Sequence, residues 1–118
     1  MCFLPITVSA NTKYAPESVY STIYNVFSVH GDAIAMGAVR IAKCESGYDN
    51  LTKNVNDIKL NGHPSVGAMQ VSLLHGYDED FLYNPYNNAK VALQLYEKAG
   101  NSFKPWKNCM IKMLDRDV

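Results

Sequence analysis

The sequence predicts an α+β domain that is mostly helical and carries one small, irregular β-hairpin. Three observations support this expectation. Apolar residues recur at helical spacing in four stretches. Proline opens three of these stretches and glycine closes three, as helix ends favour. Residues 48–72 are different in kind, rich in Asn, Asp and Gly, with Asn61-Gly62 as a two-residue turn signal. At 118 residues and 47% hydrophobic, the chain has material for one core, so a single domain is expected over 15–118 behind an irregular lead-in, 1–14.

The first helix opens at Ala15-Pro16-Glu17-Ser18, where proline suits the first turn and the glutamate favours the positive end of the helix dipole. Val19, Ile23, Val26 and Phe27 form its apolar stripe, and His30-Gly31 ends it. Asp32 is the expected cap of a second helix, with Ile34, Gly37, Ala38, Ile41 and Ala42 as a tightly packing face. That helix is apolar around much of its circumference, which marks it as the central buried one. It runs into Cys44-Glu45-Ser46 and is broken by Gly47. In the hairpin, Ile58 and Leu60 precede the turn, and Val66, Met69 and Val71 follow it. Asn84-Pro85 opens a third helix, carried by Ala89, Val91, Ala92, Leu95 and Tyr96 and closed by Ala99-Gly100. A short C-terminal helix is expected over Trp106–Leu114, with Pro105 at its start.

Lys plus Arg and Asp plus Glu number 11 each, so the chain has no bulk charge with which to capture nucleic acid or an anionic membrane. No apolar run approaches the roughly 20 residues that span a bilayer. Met1 to Ala10 is apolar and ends in Val8-Ser9-Ala10, like the tail of a secretory signal, but lacks a basic start; an ordinary N-terminal tail is the expected reading. The three cysteines, Cys2, Cys44 and Cys109, are an odd number spaced too widely for a zinc ribbon or a CxxC redox pair. His30, His63 and His75 share no metal-ligand spacing, so no metal or cofactor is expected.

Glu45 stands out on position. Carboxylates are rarely buried unless paired or functional, and this one ends an apolar helix at a sharp Ser-Gly break. Held at the edge of a cleft and partly desolvated, it would stay protonated and serve as a general acid, as glycosidic cleavage requires. The plainer alternative is a helix-terminal glutamate pointing to water.

Its surroundings carry a family resemblance. Ile41-Ala42-Lys43-Cys44-Glu45-Ser46-Gly47 resembles the "ESG" motif of soluble lytic transglycosylases and goose-type lysozymes. Ser65-Val66-Gly67-Ala68-Met69-Gln70-Val71 is similar to the second motif of that superfamily, and Leu82-Tyr83-Asn84-Pro85-Tyr86-Asn87-Asn88-Ala89 to a later helix start. Tyr96, Gly100, Phe103 and Trp106 resemble the ending found in phage-type members. Each motif is weak alone; in order, over roughly residues 33–109, they reinforce one another.

The resemblance implies a lysozyme-like domain with the hairpin beside the active-site cleft, acting on peptidoglycan glycan strands. Glu45 would protonate the oxygen between N-acetylmuramic acid and N-acetylglucosamine. It would then deprotonate the muramic acid 6-hydroxyl, which closes a 1,6-anhydro ring. Gln70, Ser65 and Tyr96 would line the substrate site, with Met69 packed beneath it and Trp106 mainly in the core. Leu95-Tyr96-Glu97-Lys98-Ala99-Gly100 departs from the commoner pattern by placing Glu where Asn is usual.

Hydrolysis in the manner of a goose-type lysozyme is the alternative chemistry, and it calls for a second carboxylate about 6.5–9.5 Å from the first. Asp49 and Asp57 are available, with Asp49 in a loop-capping context. An inactive glycan-binding domain is the other alternative. Resuscitation-promoting factors, a related group, carry "CESG" and a cysteine shortly after a terminal Trp, which implies a Cys44–Cys109 disulfide. Such a bond points to an oxidising setting outside the cytoplasm, at the cell envelope or on a virion. The chain would act there as a monomer or as part of a larger assembly.

Overall fold

Helix α1 (Pro16–Phe27) starts where Ala15 is extended and Pro16 supplies a preset first turn. It buries Val19, Ile23, Val26 and Phe27, the four residues of its apolar stripe. A 3-10 turn (Ser28–His30) and Gly31 lead into α2 (Asp32–Ser46). Gly31 takes the cap position expected of Asp32, which is the first helical residue and accepts a hydrogen bond from the Tyr24 hydroxyl. α2 buries Ala35, Gly37, Ala38, Val39, Ile41 and Ala42, and the ring of Phe103 lies over Gly37. The small-residue face is thus what lets an aromatic core close onto this helix. In this computed structural model the described residues are 12–116; Cys2, residues 1–11 of the lead-in and residues 117–118 lie outside them.

The polar middle of the chain folds into more than a hairpin. Strands β1 (Lys53–Asn54), β2 (Ser65–Val66) and β3 (Val71–Ser72) form an antiparallel sheet in the order β1-β2-β3. Lys53 stands opposite Val66, and Val66 opposite Val71. Between β1 and β2 lie a 3-10 turn (Val55–Asp57) and a one-turn helix, α3 (Ile58–Asn61). The expected strand through Ile58 and Leu60 is therefore helical, and both side chains are exposed. The Asn-Gly signal is real but serves another end. Gly62 adopts the left-handed conformation that would make a hairpin turn, and uses it to cap α3, its N–H bonding Ile58 O at 2.8 Å.

The reversal between β2 and β3 falls at Gly67–Gln70, with φ of 84° at Gly67 and 53° at Gln70. A Cβ on Gly67 would meet Asn88 Nδ2 at 2.2 Å and Leu82 O at 2.5 Å, so only glycine fits there.

After a 3-10 turn (Leu73–His75) comes α4 (Glu79–Tyr83), a short helix with Glu79 and Asp80 in its first turn and Leu82 and Tyr83 buried. α5 (Pro85–Lys98) is capped by the Asn84 side chain, which accepts from Asn87 N–H at 3.1 Å, and its apolar side packs on α1. A further 3-10 turn (Lys104–Trp106) leads to α6 (Lys107–Arg116), which packs on α2. With 68% of the structure helical and one small three-stranded sheet, the α+β expectation holds.

Two buried asparagines tie separate segments of the chain together. Asn88 of α5 donates to Val66 O and Leu82 O and accepts from Met69 N–H. Asn50 donates to Thr12 O and Tyr83 O and accepts from Tyr14 N–H. Both are 0% exposed, so each carries a full set of bonds that water would otherwise supply.

Candidate active site

Glu45 occupies the last turn of α2 and is only partly exposed. Its backbone is fixed from both sides. Gly47 ends the helix in the left-handed conformation, its N–H bonding Lys43 O at 3.0 Å. The Ser46 hydroxyl, with one hydrogen to give, lies 2.7 Å from Ala68 O and 3.1 Å from Ala42 O. Ser46 thus holds backbone on both sides, joining the end of α2 to the β2–β3 reversal.

The carboxyl of Glu45 is held well above its ordinary range. Burial pushes it up, the Asp57 carboxylate adds to that, and the Lys112 ammonium on α6 opposes both; the result is a pKa of about 7. Such a group is mixed acid and base near neutral pH, which suits proton transfer in either direction.

Asp57 closes the 3-10 turn after β1, and its Oδ2 accepts from the Ser65 hydroxyl at 2.6 Å. The structure therefore separates the two aspartates. Asp49 accepts from Leu51 N–H at 2.9 Å and pairs loosely with Lys13 at 3.7 Å, a loop-capping role. Asp57 is the carboxylate whose charge reaches Glu45.

The other expected site residues divide. Ser65 is buried, and its hydroxyl donates to Asp57, so it orders that carboxylate. Gln70 stands in the β2–β3 reversal and not on a strand face. It donates both amide hydrogens, to Thr52 O at 3.1 Å and Gly67 O at 3.0 Å. Met69 is fully buried, with its N–H on Asn88 and its carbonyl accepting from the Trp106 indole N–H at 2.6 Å. Tyr96 is 2% exposed and packs against Phe27, Phe103 and His30. Its ring is part of the core and offers no free face to a sugar. The Glu that follows it pairs with His30 at 2.8 Å, on the surface.

Cys44 and Cys109 form a disulfide, with Cα atoms 5.8 Å apart and a sequence separation of 65. In the chain-entropy description this stabilises by about 4 kcal/mol. Asn88 and Trp106, which fix the reversal beside the site, are the residues that sequence reasoning left without a structural role there. Their signal was an Asn in a helix stripe that ought to be apolar and a Trp whose N–H needs a buried acceptor.

A surface groove of about 400 Å³ lies elsewhere, between α1 and α5, lined by Thr22, Asn25, Val26, Val29, Tyr86 and Lys90. It contains neither Glu45 nor any other residue of the site. Among the described residues no helix is long and apolar enough to cross a membrane. No family model, curated protein or solved structure matches the chain.

Proposed function

We propose that this chain is a lysozyme-like domain that cleaves the glycan strands of peptidoglycan, with Glu45 as acid and then base. The observation that carries the reading is a half-buried carboxyl with a pKa of about 7, held rigidly at the end of α2. The ordered motifs around it supply the substrate class.

In the transglycosylase form of the reaction, protonated Glu45 gives its proton to the glycosidic oxygen as the bond to the muramic acid anomeric carbon breaks. The resulting carboxylate takes the proton of the 6-hydroxyl as that oxygen attacks the same carbon. The enzyme ends in its starting protonation state, and no water is consumed. One residue does both transfers, and a pKa near neutrality favours neither direction.

Asp57 supports a second reading, inverting hydrolysis. There Glu45 remains the acid and Asp57 activates water, with Ser65 fixing its carboxylate. Mass spectrometry of muropeptides released from purified walls separates the two. Transglycosylation gives 1,6-anhydro ends; reducing ends in their place would require hydrolysis. A disulfide beside the acid suits work outside the cytoplasm, on the wall itself, alone or within an envelope or virion assembly. An inactive glycan-binding domain would bind walls and release nothing.

A further inference from the structure

The disulfide does more than staple two helices, because of what it brings to Glu45. Cys44 directly precedes Glu45, and its partner Cys109 is the third residue of α6. Lys112 follows Cys109 by three residues, so the two share one face of the helix. The bond therefore turns the Lys112 side of α6 toward the end of α2. Two charges act on Glu45: Asp57 from the turn after β1 and Lys112 from α6.

We propose that α6 is part of the active site, with Lys112 as a positioning residue for the Glu45 proton and the Cys44–Cys109 bond as the tether that keeps it there. This rests on the reading of Glu45 as acid and base. A group that must give a proton and then take one back works poorly if burial and a neighbouring carboxylate hold it protonated throughout. Lys112 is the counterweight. Among the described residues of the turn that carries it, Ile111 and Lys112 are exposed, and Met110 and Met113 are only partly buried. The anchor at the start of α6 is Trp106, through its bond to Met69 O. The disulfide is the covalent link between that turn and the end of α2.

The test has two readouts, the alkaline limb of wall cleavage against pH and the NMR titration of the Glu45 carboxyl, which needs no activity. Lys112→Met is expected to move both to higher pH, and Lys112→Arg to keep them in place. The pair Cys44→Ser with Cys109→Ser is expected to move them in the same direction, and Lys112→Met added to that pair to give no further shift. An unmoved Glu45 titration in Lys112→Met overturns the proposal. So does a Lys112→Met shift as large in the tether-free protein as in the wild type. If the tether-free protein does not fold, the methionine and arginine variants decide the role of Lys112. A wild type that cleaves no wall defeats the reading of Glu45 as catalyst, while the titration still decides whether Lys112 sets its proton affinity.

Discussion

Ser65 donates its hydroxyl hydrogen to Asp57 across 2.6 Å, joining β2 to the turn that precedes α3. A charge-assisted bond of this kind contributes more than a neutral one. Ser65→Ala is expected to destabilise the protein by roughly 1–2 kcal/mol, and to weaken wall cleavage by loosening Asp57. Urea denaturation checks the first; an unchanged midpoint would mean the bond contributes nothing.

Asp57→Asn keeps an acceptor for Ser65 and removes the charge that helps to raise Glu45. The alkaline limb of activity is expected to move to lower pH. Under transglycosylation the acid-side plateau survives. Loss of the plateau, read as kcat on purified walls at pH 5, would instead assign Asp57 the work of activating water.

The wild-type pH profile follows from the Glu45 pKa of about 7. Cleavage needs the protonated carboxyl, so kcat/KM is expected to fall as pH rises through that value. A rate that climbs steadily to pH 9 would mean that a different group supplies the proton.

Stability has its own sign. The folded pKa of Glu45, about 7, lies above its ordinary value of 4.5, so the folded state holds that proton more tightly. The contribution is complete below pH 4.5 and lost as pH rises through 7. Glu45→Gln is thus expected to be more stable than the wild type above neutrality, by roughly 1–2 kcal/mol once partial exposure is allowed for, and not at pH 4. Thermal melts of both proteins at pH 4 and pH 8 check it.

Asn88→Ala removes two donors and one acceptor from a site with no water access, stranding Met69 N–H, Val66 O and Leu82 O. A loss of about 3 kcal/mol or more is expected in the same denaturation assay.

The helices were legible because their signals are local. Pro16, Pro85, Gly47 and Gly100 sit where proline and glycine help a helix begin or end, and the stripe of α1 is buried as spaced. The middle of the chain was not. Gly62 adopts the conformation its sequence promised, but a left-handed glycine caps a helical turn as readily as it closes a hairpin. Nothing local distinguishes the two when the flanking Ile58 and Leu60 end up exposed.

At the site, Glu45 was legible from its place on an apolar helix. The partnership of Ser65 with Asp57 was not, because it links residues on separate elements through a turn the sequence does not announce. Tyr96 shows the opposite limit. Its motif pointed to the cleft, and the aromatic core of Phe27 and Phe103 claimed the ring.

Turbidity clearance of purified cell walls at pH 6 by the wild type and Glu45→Gln decides whether Glu45 supplies the proton for cleavage. Clearance by the wild type is expected, with a rate at least about 100-fold lower in the variant, the loss that follows removal of a general acid. Clearance undiminished in Glu45→Gln would contradict it.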